Sequence, residues 1–140
     1  MKLSMPLLFL MTSTAATTSS PNPASEIVKT IRARDCYSGG NTWAEAKPYV
    51  LYEAKAFCMA YLGNIVYNGR ETRKVCFDIP LQTISQHAEL EINRLGDSAR
   101  WIDWKECFDG LQKEINGCDH GGKSRYTNWQ YRADPNANPC

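Results

Sequence analysis

GCDHGGKSRYTNWQYRADPNANPC, from Gly117 to Cys140, sets a cysteine, a Gly-Gly turn, an aromatic strand pattern and a closing cysteine within one short segment. Alternation from Arg125 to Arg132 predicts a strand. Arg125, Thr127, Trp129 and Tyr131 fall on one side, and Tyr126, Asn128, Gln130 and Arg132 on the other. Asp134-Pro135-Asn136 carries turn chemistry and is expected to end this strand, with Cys140 tying down the tail. The Trp129 side reads as core, and the Tyr126 side as the surface open to recognition.

Working outward, Trp101, Trp104, Phe108, Leu111 and Ile115 recur in steps of three and four, the apolar stripe of an amphipathic helix. Asp97 and Ser98 are its candidate N-caps, and Gly117 sits where a C′ glycine would stop it. Further upstream, Ile65-Val66-Tyr67, Asn68-Gly69 and the run from Arg70 to Ile79 read as a hairpin closed by a type I′ turn. In its second arm Arg73, Val75, Phe77 and Ile79 share one face, and Thr72, Lys74, Cys76 and Asp78 the other. A third strand follows Pro80, with Ala88, Leu90 and Ile92 alternating with Glu89, Glu91 and Asn93.

Val50, Leu51, Ala54, Phe57, Cys58 and Tyr61 define an earlier helix ending at Gly63. Thr42-Trp43-Ala44-Glu45 has capping-box spacing, and Pro48 predicts a short turn followed by a restart with proline near N1. Between Ile27 and Tyr37, periodicity leaves an edge strand and a frayed arm both open. One apolar and one polar sheet face, with helices between strands, predict the α+β class: an antiparallel sheet of about four strands packed by two helices.

Length and composition bound the rest. A chain of 140 residues is enough for one domain. Lys2, the apolar run Pro6 to Met11 and the small residues Ser13-Thr14-Ala15-Ala16 read as a secretory signal peptide, placed at residues 1–19. A Ser/Thr/Pro tract runs from Thr17 to Ser25, residues 20–35 are then a flexible or extended arm, and 36–140 the single domain. Arg32-Ala33-Arg34 matches a processing site in spacing. Without Lys2 the 16 basic residues become 15, equal to the 15 acidic ones. A near-neutral chain argues against non-specific nucleic-acid binding and against a basic membrane-lytic toxin. No apolar run reaches the roughly 20 residues a membrane-spanning helix needs.

All six cysteines, Cys36, Cys58, Cys76, Cys107, Cys118 and Cys140, fall in the exported portion, so three disulfides are expected, with 15 connectivities left open. A metal site is disfavoured because there is no Cys-x-x-Cys and there are only two histidines, His87 and His120. No Asn-x-Ser/Thr sequon occurs, and no nucleotide-binding, nucleophile-elbow or zinc-protease motif calls for a cofactor. An even cysteine count also argues against a free thiol nucleophile.

Two constellations remain. A ribonuclease needs a general base, a general acid and a cation on neighbouring strands, a set that His87, Glu89, Glu91, Arg94 and His120 would have to supply. A carbohydrate site needs an aromatic face for the sugar's C–H surface and planar polar groups for its hydroxyls. Tyr126, Asn128, Gln130 and Arg132, with Asp119 and His120 on the neighbouring loop, offer that mixture.

Taken together, Cys36-Tyr37-Ser38-Gly39-Gly40 with Trp43, the helix carrying Cys58, and the pattern GC-x-x-GG, NW-x-Y-x-ADPN and Cys140 resemble the mushroom glycan-binding lectin family typified by an ink-cap protein. The resemblance runs from Cys36 to Cys140. It implies an α/β layered sandwich, export from a fungal cell and non-catalytic binding of a carbohydrate partner. A more distant similarity is to killer-toxin-like and plant-pathogen effector sandwiches, which implies a secreted effector as the alternative.

Overall fold

A computed structural model describes residues 35–80 and 85–140. The expected signal peptide, the arm up to residue 34 and the Arg32-Ala33-Arg34 match lie outside the described residues. A two-residue strand β1 (Asp35–Cys36) is followed by a 3₁₀ turn (Ala44–Ala46), helix α1 (Lys47–Phe57) and a π-helical turn (Cys58–Leu62). Strands β2 (Ile65–Tyr67), β3 (Thr72–Ile79), β4 (Gln86–Arg94) and β5 (Arg100–Ile102) come next. Helix α2 (Trp104–Gly117) and strands β6 (Gly122–Arg125) and β7 (Trp129–Ala137) complete the chain.

Five strands form one antiparallel sheet in the order β1-β6-β7-β4-β3, and β2 pairs with β5 in a separate two-stranded sheet. This is the expected α+β class; of the ambiguous 27–37 segment only its end is described, where Asp35–Cys36 form the edge strand β1, and residues 27–34 lie outside the described residues. The alternation holds through β4 and through β7 up to Asn136: Ala88, Leu90 and Ile92, with Trp129, Tyr131 and Ala133, are buried on the helix side. Against them pack Val50, Ala54 and Leu62 from the first helical segment and Leu111 and Ile115 from α2. Phe57 stacks on Phe77 at 5.5 Å between ring centroids, laying α1 over β3. Gly110 lays α2 over β7, because a Cβ there would come within 2.2 Å of the Tyr131 ring.

All six cysteines pair, as Cys36–Cys118, Cys58–Cys107 and Cys76–Cys140. Cys58 and Cys107 are fully buried and join the two helices through the core. Each bridge closes a loop of at least 49 residues, long enough to stabilise the domain by about 2–4 kcal/mol. Among the described residues, no helix is long and apolar enough to cross a membrane.

Several local expectations are corrected. Asn68-Gly69 does not close a hairpin between β2 and β3: β2 pairs with β5, and β3 with β4. Positive φ falls on Arg70 instead (64°). Gly69 is needed for close approach, since a Cβ would lie 1.8 Å from the Asp97 carbonyl oxygen. Asp97 therefore stands in that turn, paired with Arg70 at 2.7 Å, and is no helix cap.

The α2 N-cap is Asp103, whose carboxylate accepts from the amides of Lys105 and Glu106 at 2.7 and 2.9 Å. Trp101 consequently belongs to β5 and is 54% exposed, outside the helical stripe. Gly117 ends α2 as its last helical residue, with Cys118 extended as C-cap, so no left-handed glycine stop forms. The Thr42/Glu45 capping box does not form either. Trp43 is fully buried, and its indole donates to the Cys118 carbonyl at 2.9 Å. Pro48 does sit in the first turn of α1 after a short turn, as expected.

The last strand is the largest correction. β6 stops at Arg125, residues 126–128 form a loop, and β7 runs straight through Asp134-Pro135-Asn136. Pro135 pairs across from Ala88 on β4, while pairing with β6 begins only at Ala133, so one side of β7 is already an edge at the proline.

Candidate functional site

Because the chain leaves the sheet between β6 and β7, residues 126–128 stand beside α2 rather than on a flat strand face. Between them opens a cleft of about 480 Å³, with Lys105, Asp109 and Lys113 on the helix side and Tyr126, Thr127 and Asn128 on the loop side. The helix contributes these groups through its geometry: positions 105, 109 and 113 step by four and so line one flank of α2. At the back, the Trp129 indole donates to Glu106 Oε1 at 3.0 Å, and the Tyr131 hydroxyl donates to the Glu106 carbonyl at 3.2 Å. Burial, then the nearby Glu106 charge, raises the Tyr131 phenol pKa, so this hydroxyl remains a neutral donor.

The loop is held rigidly. Tyr126 N–H donates to the Trp129 carbonyl at 2.8 Å, closing it as a tight turn. The Asn128 carbonyl accepts from both the Leu95 amide and the buried Arg94 guanidinium, each at 3.0 Å. Arg94 also lies 5.7 Å from the Trp129 ring centre, on the sheet's inner side. The Tyr126 ring meets Tyr131 edge-on at 5.7 Å, with Lys113 Nζ 5.5 Å from its own centre. An aromatic ring, an amide, a carboxylate and two ammonium groups thus share one concavity.

The other sequence-derived candidates fall elsewhere. Gln130 and Arg132 lie on the opposite sheet face, where Arg132 is engaged by carboxylates. Its guanidinium contacts Glu89 at 2.8 Å, Glu91 at 3.8 Å and Asp134, and Nε donates to the Tyr37 hydroxyl at 3.1 Å. Burial would pull the Arg132 pKa down, but hydrogen bonds to Glu89 and Tyr37 and the Asp134 charge raise it overall. The Arg132 hydrogen bond holds the Glu89 carboxyl below its ordinary range, with Lys74, at 3.0 Å, adding to this. Asp119 is paired with Lys47 at 3.4 Å, and His120 Nδ1 bonds the Gly40 carbonyl at 2.9 Å, both near the turn before α1. The six residues therefore divide among three places, and only Tyr126 and Asn128 share the cleft.

The ribonuclease set is divided too. His87, Glu89 and Glu91 share the outer face, Arg94 is on the inner side, and His120 stands on the distant loop. Glu89 has its carboxyl held below the ordinary range, and Arg94, the cation of the set, is engaged by the Ser98 and Asn128 carbonyls on the other side of the sheet, so base and cation do not meet. A second, more open groove of about 710 Å³ runs between residues 36–41 and Asp134 to Ala137.

Fold and bridges define a disulfide-stabilised α+β domain with a preformed cleft at one helix–sheet margin. Neither the protein-family models nor the curated proteins compared with this chain match it.

Proposed function

We propose that this chain is a secreted, non-catalytic glycan-binding protein, and that its site is the cleft between α2 and the 126–128 loop. The observation that carries this reading is the meeting of Tyr126 and Asn128 with Lys105, Asp109 and Lys113 in one concavity. Sugars are bound by stacking of their C–H face on an aromatic ring while planar polar groups bond the hydroxyls, and a volume of this order suits a small ligand. Three disulfides fit an oxidising, extracellular location. The oxidised protein is expected to bind on a broad glycan array or to cell-wall polysaccharide. Tyr126→Ala should weaken that binding about tenfold or more, equivalent to about 1.4 kcal/mol. No binding in either format, or full binding by the variant, would remove the proposal.

A second reading, a secreted effector that docks on a protein, draws on Val66 and Trp101. These residues face each other across β2 and β5 and are about half exposed. Growth inhibition or leaf necrosis abolished by Trp101→Ser but untouched by Tyr126→Ala would favour it over glycan binding.

A further inference from the structure

At the far corner of the outer sheet face, Cys76 on β3, His87 on β4 and Cys140 in the C-terminal tail bring two sulfurs and an imidazole nitrogen within 4.8 Å of one another. In the described structure the two cysteines form a disulfide. We propose that two-electron reduction of this one bridge creates a binding site for a thiophilic divalent cation, zinc above all, with Cys76, His87 and Cys140 as ligands.

Three features support the assignment. First, Cys76 and Cys140 are both exposed, whereas each of the other bridges has at least one cysteine sealed in the interior, so an external thiol reaches this bridge first. Second, the tail does not depend on the bridge alone. The Asn138 amide donates to the Ser85 carbonyl at 3.1 Å, and the Cys140 amide donates to Asp78 Oδ1 at 2.7 Å. These bonds hold Cys140 over β3 after the covalent link opens.

Third, His87 is already arranged as a metal ligand. Its Nδ1 lies 2.7 Å from the Asn138 carbonyl, which places the proton there and leaves a lone pair on Nε2. Such a carbonyl-anchored imidazole is the usual arrangement around metal-bound histidine. Tetrahedral zinc with Zn–S of about 2.3 Å asks the two sulfurs to part to about 3.8 Å, a side-chain rotation rather than a backbone movement. Water would fill the fourth position.

The chemistry balances with an external dithiol. Its two S–H groups supply two electrons and two protons, the Cys76–Cys140 bond breaks to two thiols, and the dithiol closes to a cyclic disulfide. Zinc then displaces one proton from each thiol. The ligands are 11 and 53 residues apart along the chain, which is why no Cys-x-x-Cys spacing announces them.

The test is to titrate the oxidised protein with dithiothreitol to two thiols per chain, map them by alkylation, desalt without oxygen and add Co²⁺. One Co²⁺ per chain with tetrahedral cobalt–thiolate absorption, displaced by Zn²⁺ and absent in oxidised protein, is expected. His87→Ala, whose fold is checked while the bridge is still closed, should bind about tenfold more weakly or worse. Cys140→Ser should lose the thiolate band. The proposal is overturned if another bridge opens first, if all three open together, if the two-thiol protein shows no cobalt–thiolate band, or if His87→Ala leaves the affinity unchanged.

Discussion

The two faces of β4 and β7 are built from alternate residues of the same strands and are ordered by opposite physics. On the inner face Leu90, Ile92, Trp129, Tyr131 and Ala133 are buried against two helices, and shape decides what fits. On the outer face Glu89, Glu91 and Asp134 converge on Arg132 from neighbouring register positions, with Lys74 also on Glu89, so charge decides what sits beside what. The residue types most suggestive of catalysis thus stand on the outer face and are committed to one another. The groups of the proposed glycan site instead gather where the inner face runs out from beneath α2. Residue type alone does not tell the two sides of the sheet apart; what the neighbours leave available does.

The largest effect that would test this contrast is expected from Trp129→Ala. Loss of a buried indole, and with it the donor to Glu106, should cost about 3–5 kcal/mol in urea unfolding. A cost below about 1 kcal/mol would mean that the inner face is not ordered by packing.

Gly110→Ala comes next, at about 1–3 kcal/mol, because the added methyl meets the Tyr131 ring and α2 must lift or the ring must turn. Its melting temperature should fall while the cleft changes shape.

The smallest effect, about 1 kcal/mol at pH 7, is expected for Arg132→Gln on the outer face, where pairs are partly solvated. Here the sign is diagnostic. The folded Glu89 carboxyl lies below its unfolded value near 4.5, so its contribution is present above that pH and lost as acid protonates it in the fold. Wild type and Arg132→Gln should therefore differ at pH 7 and converge in acid, as the pH falls through the lowered Glu89 pKa of the fold. Equal differences at both pH values would show that Arg132 acts through packing.

Much of this frame was legible because alternation is a local signal. β3, β4 and the inner residues of β7 follow from period two, and the two helices from period 3.6. What misled was also local. Asn68-Gly69 looks like a hairpin turn, but Gly69 serves a contact with Asp97, which is 28 residues away. Pro135 looks like a strand end, but β6 begins only at Gly122, across from Ala133, and leaves that side of β7 unpaired at the proline. Asp97 and Asp103 are equally good caps by type, although only Asp103 has a glutamate three residues on, the capping-box partner position.

The cleft was half visible. Tyr126 and Asn128 were found from the mixture of aromatic and amide groups, whereas Gln130 and Arg132 were joined to them by extending one strand through what is a loop. Lys105, Asp109 and Lys113 were missed. Their four-residue spacing marks a helix flank, but nothing local says that a loop 13 residues beyond Lys113 will face it.

Gly110 also has a mechanical consequence. With the Tyr131 ring seated against a position that has no side chain, α2 is keyed to the sheet like a notched bar. A slide of one helical turn, about 5.4 Å, would drive the side chain of Cys107 or Glu114 onto the ring and pull against the bridge to Cys58. Ratcheting of this helix is thereby blocked. Its flank of the cleft is kept from opening and shutting as a gate, so a ligand of the proposed site would meet a wall already in place and lose little binding energy to rearranging it.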